Sequence, residues 1–309
     1  MSPMRRCILA ASALLASGFH NRAVGLEKKR DNSKGKTMTG KNVIGSSGYA
    51  DVDGLRVYYE LHGARLASDT VPLVLLPGGA MTVELAFGET LLPRFARTRP
   101  VIAIEPQGHG HTGDRPGPIT VPRMVDDLAG VLAHLGVKRA DFVGHSLGGI
   151  IALGTAIHHP GLVRSLTLLG AFYQLDGMLP DLVKMHRDPA HQPAPEVAAL
   201  LPTEADFAAM RASFSKHAPR PDAFDAILER LNIMLTEWPG YTPAQLRALR
   251  SASLIVIGDN DFVRVDHAAE MARLIPGAEL AVLPGTTHLS IAQRGQWLEL
   301  LMEDRLKRL

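Results

Sequence analysis

Short runs of consecutive apolar residues punctuate the chain at 72–76, 101–104, 140–143, 166–169, 254–257 and 280–283. A strand whose two faces are both covered needs apolar side chains at successive positions, so these runs predict buried strands rather than half-exposed ones. Between them lie segments with apolar positions at helical spacing, at 83–97, 121–135, 150–158, 243–249, 267–274 and 296–306. Alternation of this kind predicts an α/β fold: a mostly parallel sheet with helices on both faces. Two further runs, 49–52 and 55–61, flank Asp53-Gly54, a favoured two-residue hairpin turn. An antiparallel pair therefore opens the fold, and the expected sheet has eight strands.

One interval breaks the rhythm. About eighty residues separate Gly170 from the strand beginning near Leu254, far more than a crossover requires. Helical pattern is clearest at 203–214 and 222–235, interrupted by Pro189, Pro193, Pro195, Pro219 and Pro221. The expected organisation is a core of residues 49–170 and 241–309 with a helical cap, residues 171–240, over the carboxyl edge of the sheet. Phe172, Tyr173, Met178 and Trp238 are expected to line a substrate pocket beneath it, with Met185, Phe214 and Met234 as further apolar candidates. Packing within the cap is the competing role for each.

The amino terminus differs from the rest. Arg5 and Arg6 precede a small-residue apolar stretch at 7–18, which then gives way to polar sequence. These are the n-region and h-region of a secretory signal, too short to span a membrane. Residues 1–23 are therefore expected to be a signal peptide, cut near Ala16 or Ala23, and residues 24–48 a flexible leader. Export to the periplasm or medium follows; an unused signal would leave a cytoplasmic protein with a frayed extension. Of 33 Lys and Arg and 31 Asp and Glu, the first 48 residues hold nine and two, leaving 24 against 29 for the remainder. The basic excess thus belongs to the leader and gives no nucleic-acid surface. Cys7, the single cysteine, lies inside the signal, so the mature chain has neither a disulfide nor a thiol nucleophile.

The run at 140–143 leads into Gly144-His145-Ser146-Leu147-Gly148 and then into an apolar helix. Gly-x-Ser-x-Gly between a strand and a helix puts the serine on a sharp turn with its hydroxyl projecting, and side chains at the flanking glycines would crowd that turn. The Leu147 amide, at the helix start, has no intrahelical acceptor and can serve an oxyanion. A serine hydroxyl needs a base. Two later strand ends offer partners: Asp259 and Asp261 follow one run, and His288 follows the last. In an open α/β sheet these ends converge on one crevice. No ligand spacing supports a metal, and the glycines at Pro77-Gly78-Gly79 lead into neither a Gly-x-Gly-x-x-Gly series nor a Walker lysine, so no cofactor is expected.

From about Tyr49 to the C-terminus the pattern resembles the α/β-hydrolase fold family, in its serine-hydrolase branch with a helical cap. The resemblance implies that the acid is the second aspartate of Gly258-Asp-Asn-Asp261, with Asp259 shaping the turn, and that His288 is the base. It maps the family's His-Gly-x oxyanion loop onto Pro77-Gly78-Gly79, so that the Gly79 amide joins that of Leu147; proline stands where histidine is usual. Glu105-Pro-Gln-Gly-His-Gly-His-Thr112 resembles the Asp-x-x-Gly-His-Gly-x-Ser loop, with Glu for Asp and Thr for Ser, His109 as a structural residue, and His145 lining the nucleophile turn. The implied catalytic set is Ser146 as nucleophile, His288 as general base and acid, and Asp261 as its orienting carboxylate. A serine at 146 excludes the aspartate-dependent opening of haloalkanes and epoxides. The expected reaction is hydrolysis of a small to medium, largely apolar carboxylic ester or lactone through an acyl-enzyme. The alternatives are C–C hydrolysis of ring-cleavage products, cofactor-free perhydrolysis, and small-ligand binding without turnover. N-terminal sequencing of protein recovered from its native host checks the export expectation: the chain should begin after Ala16 or Ala23, and a start at Met1 contradicts it.

Overall fold

The computed structural model describes residues 45–67, 69–188 and 190–309. The expected signal peptide and nearly all of the leader lie outside these residues. Eight strands form one sheet: β1 (Ser46–Val52), β2 (Leu55–His62), β3 (Leu73–Leu76), β4 (Val101–Ile104), β5 (Ala140–His145), β6 (Val163–Leu169), β7 (Ala252–Asn260) and β8 (Glu279–Thr287). Their spatial order is β1-β2-β4-β3-β5-β6-β7-β8. The first hairpin is antiparallel, β2 also meets β4 antiparallel, and the strands from β4 to β8 are parallel. From β3 the chain goes outward to β4, then returns to the other side of β3 to make β5. That reversal opens a crevice beyond the carboxyl ends of β3 and β5.

The helices are α1 (Val83–Phe87), α2 (Leu91–Phe95), α3 (Val121–His134), α4 (Leu147–His158), α5 (Pro180–Arg187), α6 (Pro195–Ala198), α7 (Glu204–His217), α8 (Phe224–Glu237), α9 (Pro243–Arg247), α10 (Val265–Leu274) and α11 (Gly295–Leu306). In α3 the spacing of Val121, Met124, Val125, Leu128, Val131 and Leu132 makes one buried stripe. Thr120 caps its first turn by accepting from the Arg123 amide, and Pro122 occupies an early position where no donor is missed. Five helices, α5 to α9, lie between β6 and β7, and the first four of them make up the inserted region. The architecture is thus the α/β-hydrolase fold with an inserted helical region.

Two boundaries on the N-terminal side of the core differ from expectation. The segment read as one helix over 83–97 is two, because Gly88 and Thr90 interrupt it and Thr90 takes φ −120° and ψ −96°. Val83, Phe87, Leu91 and Phe95 lie four apart, so the apolar stripe passes through the break and conceals it. The first strand begins at Ser46, with Ser46 opposite Leu61 and Gly48 opposite Tyr59. Residues 46–48 thus belong to the sheet and not to the expected leader. Main-chain pairing at a sheet edge needs no apolar alternation, so Ser46, Ser47 and Gly48 carried no strand signal.

Asp141 fastens the start of β5. Its buried carboxylate accepts hydrogen bonds from Arg99 at 2.5 Å, Arg164 at 2.8 and 2.5 Å, and Ser165 at 2.6 Å. Burial disfavours the ionised form, but the bonds from Arg164, Ser165 and Arg99 outweigh it and hold the carboxyl below its ordinary range. Breaking a buried pair of this kind costs about 3–5 kcal/mol. Asp141→Ala is therefore expected to lower the unfolding free energy by that amount at pH 7. Because the folded value is depressed, the contribution is complete above the unfolded value of about 3.9 and is lost as pH falls through the folded value. Urea unfolding across pH reads both effects; a loss under about 1 kcal/mol would show that the cluster contributes no more than a surface pair.

Candidate active site

The turn at Ser146 is strained. Ser146 takes φ 51° and ψ −116°, a region costly for a residue with a side chain. Its amide donates to the Leu169 carbonyl at 2.8 Å, and its carbonyl accepts from Ile150 at 3.0 Å. A Cβ at Gly144 would lie 2.3 Å from the Gly148 oxygen, and one at Gly148 would lie 2.2 Å from the Leu76 oxygen. Both glycines are therefore fixed by close backbone approach. Leu147 begins α4, so its amide is a first-turn donor without an intrahelical acceptor.

The loop after β3 comes alongside. A Cβ at Gly79 would lie 3.9 Å from the Leu147 side chain, which brings the two expected oxyanion residues together. The next amide, Ala80, donates to His109 Nε2 at 3.0 Å, so the other nitrogen of His109 carries the proton and donates to the Gln107 carbonyl at 2.9 Å. Burial lowers the basicity of His109 and keeps it neutral. It therefore straps the β3 loop to the β4 loop without adding charge. Glu105, buried at the start of the latter loop, accepts from the Val83 amide at 3.1 Å and from the His111 amide at 2.6 Å. Thr112 donates to the Glu105 carbonyl at 2.6 Å. Glutamate in place of aspartate reaches the N-terminus of α1 as well as its own loop.

The two carboxylates at the end of β7 have different tasks. Asp261, buried, accepts from His288 Nδ1 at 2.8 Å and from the Val263 amide at 2.8 Å, both on Oδ1. Asp259 is exposed and accepts from the Thr286 amide at 3.0 Å. Backbone donation from Thr286 and Gly285 holds its carboxyl below the usual range. Asp259 thus pins the loop that carries the histidine, while Asp261 reaches the ring. Phe262 stacks on the His288 ring at 3.9 Å. Ser146 makes no hydrogen bond to His288, so of the three expected partners the structure joins two directly; such bonds commonly tighten only with a substrate bound.

His145 lies between the segments. Its Nε2 is 2.9 Å from the His288 carbonyl oxygen, and its ring centre is 5.0 Å from that of His288. Burial foremost, aided by the adjacent His288, pushes its basicity down to about 3. No sequence signal pointed to this contact, because a main-chain carbonyl accepts whatever residue carries it.

The expected pocket residues divide. Phe172 and Trp238 face each other at 6.4 Å, and Trp238 meets Tyr241 edge-on. Tyr173 stacks on His267 of α10 at 4.5 Å, and Met178 pairs with Val263 beside β7, so these two secure the base of the cap against the core. A cleft of about 470 Å³ opens farther along the seam, between Gly108 and Gly113 on the core and Phe214, Ile227 and Arg230 on the cap. Arg230 bonds the Gly117 carbonyl there and pairs with Asp114. Among the described residues no cluster of three His, Cys, Asp or Glu has metal-binding geometry, and no helix is long and apolar enough to cross a membrane.

Residues 73–299 match the family described as the Alpha/beta hydrolase family. The chain belongs to that family. It is an enzyme of the family's serine-hydrolase type. A 2-hydroxymuconate semialdehyde hydrolase of Pseudomonas putida is 29% identical over 237 residues, covering 70% of this chain and 77% of the relative. A protein of the same description from Pseudomonas sp. strain CF600 is 40% identical over 103 residues, 32% of this chain and 36% of the relative. The chain spans less than half the length of several curated relatives it matches. Among solved structures, Est816, described as an N-acyl homoserine lactone degrading enzyme, is 27% identical with a TM-score of 0.65, covering 82% of this chain and 99% of that one.

Gly170 tests how tightly Asp261 and His288 are packed. It takes φ +55°, and a Cβ there would lie 3.0 Å from both Asp261 Oδ2 and His288 Nδ1. Gly170→Ala is expected to destabilise by about 1–3 kcal/mol through crowding and backbone strain. Thermal unfolding measures this; wild-type stability would mean that the two side chains yield freely.

Proposed function

We propose that Ser146, His288 and Asp261 act as a catalytic triad, with the Gly79 and Leu147 amides as the oxyanion hole and residues 171–240 as the cover over the substrate. The observation that carries this reading is the buried 2.8 Å bond between Asp261 and His288 at the sheet edge that also presents Ser146. Asp261 fixes the tautomer that leaves Nε2 free to take a proton from the serine, and it favours the imidazolium that results. Attack on a substrate carbonyl yields a tetrahedral oxyanion. The two amides, aimed from different segments, then stabilise charge that is absent in the ground state. His288 returns its proton to the departing group, and a water activated by the same imidazole releases the acyl group.

For the substrate, C–C hydrolysis of a ring-cleavage product now stands ahead of simple ester hydrolysis. The support is the Pseudomonas putida relative, whose alignment runs through most of both chains. A vinylogous diketone suits such a site because the tetrahedral adduct can expel carbon: the electron pair of the breaking bond passes into the conjugated second carbonyl, and His288 supplies the proton. Lactone or ester cleavage is the second reading, favoured by the likeness to Est816 over nearly all of that protein. Both use the same triad and differ in the leaving atom.

Parallel assays with 2-hydroxymuconate semialdehyde, an N-acyl homoserine lactone series and short p-nitrophenyl esters separate the two. Turnover should be highest with the semialdehyde, and S146A should lower kcat by about 10⁴-fold or more. Activity confined to lactones and esters would select the second reading. Inactivity on every substrate, or an undiminished S146A, would refute the triad.

A further inference from the structure

We infer that His145 is a positioning residue, which from inside the nucleophile turn holds the main-chain carbonyl of His288 and so sets the distance between the base and Ser146. The inference rests on the triad proposed above and assigns to it a fourth side chain. A carbonyl oxygen can only accept, so the 2.9 Å contact requires the proton on His145 Nε2. His145 Nδ1 is then a bare acceptor, and it is buried with no partner among the described residues. A buried ring nitrogen without a partner is unfavourable. An apolar side chain would fill the same space without that cost, so the group that matters is the Nε2 donor.

The surroundings leave the ring little freedom. A Cβ at Gly78 would lie 2.7 Å from His145 Nδ1, so the loop of the proposed oxyanion hole closes on one edge of the ring while the His288 carbonyl engages the other. The same residue precedes Ser146 in the chain and ends β5. Nucleophile, oxyanion loop and base loop therefore share one rigid spacer, although they come from three separate strand ends. Asp261 orients the His288 ring about its own axis; His145 locates the main chain from which the ring projects.

The test uses the full chain and three variants. H145Q retains a donor near the Nε2 position, H145L fills space without one, and H145N is polar but too short to reach. Loss of the donor should lower kcat about tenfold to a hundredfold with KM within about twofold, and H145Q should recover to within about threefold of wild type. Labelling of Ser146 by a fluorophosphonate should slow in the same order. Should H145L fail to fold, H145N supplies the donor-free measurement. Wild-type rates in H145L or H145N, with normal labelling of the wild type, overturn this inference alone. Equal losses in all three variants, with KM raised and thermal stability lowered together, reduce His145 to packing and also overturn it. A wild type that neither turns over nor labels removes the triad itself.

Discussion

Close backbone approach around the turn at Ser146 is the constraint on which the site depends. β5 pairs with β3 through Leu76 and Gly144, and the first turn of α4 is pressed so near to β3 that only glycine fits at Gly148. This packing over-determines the positive φ of Ser146, whose local cost of about 1–3 kcal/mol is offset by the surrounding sheet. Once the turn is fixed, the adjacent strand ends have no choice of position. β3 delivers Gly79, while β7 and β8, farther along the sheet, deliver Asp261 and His288.

Charge around the site is arranged by burial as much as by pairing. His109 and His145 are both buried, both held by main-chain groups, and both kept neutral by desolvation. In the proposed mechanism that neutrality matters for His288. A charged His145 with its ring 5.0 Å away would oppose formation of the His288 imidazolium by about 3 kcal/mol at an effective dielectric near 20. A neutral imidazole imposes no such penalty while still donating one hydrogen bond. Asp261 thus bonds His288 directly, while the two histidine braces beside it are uncharged.

Much of this was readable from the chain. Consecutive apolar residues marked the sheet because burial on both faces leaves no polar alternation, and Gly-x-Ser-x-Gly marked the turn because the packing there excludes side chains. Strand ends were less visible. Gly258, Pro284 and Gly285 resemble stops, yet β7 and β8 continue past them to Asn260 and Thr287 through an irregularity in register, and β8 tolerates proline because it is the edge strand. In the cap, Pro195 begins α6, where a missing amide costs nothing, so a residue that reads as a break is a start. The bond from His145 to His288 left no trace in the sequence, since it joins a side chain to a main-chain atom and places no demand on the identity of the partner.

The most direct measurement is a crystal structure of the protein after reaction with a fluorophosphonate. The account predicts a covalent bond to Ser146 Oγ, with the phosphoryl oxygen about 2.7–3.1 Å from both the Gly79 and Leu147 amides and His288 Nε2 turned toward the adduct. An adduct on another residue, or a phosphoryl oxygen facing solvent away from those amides, would contradict it.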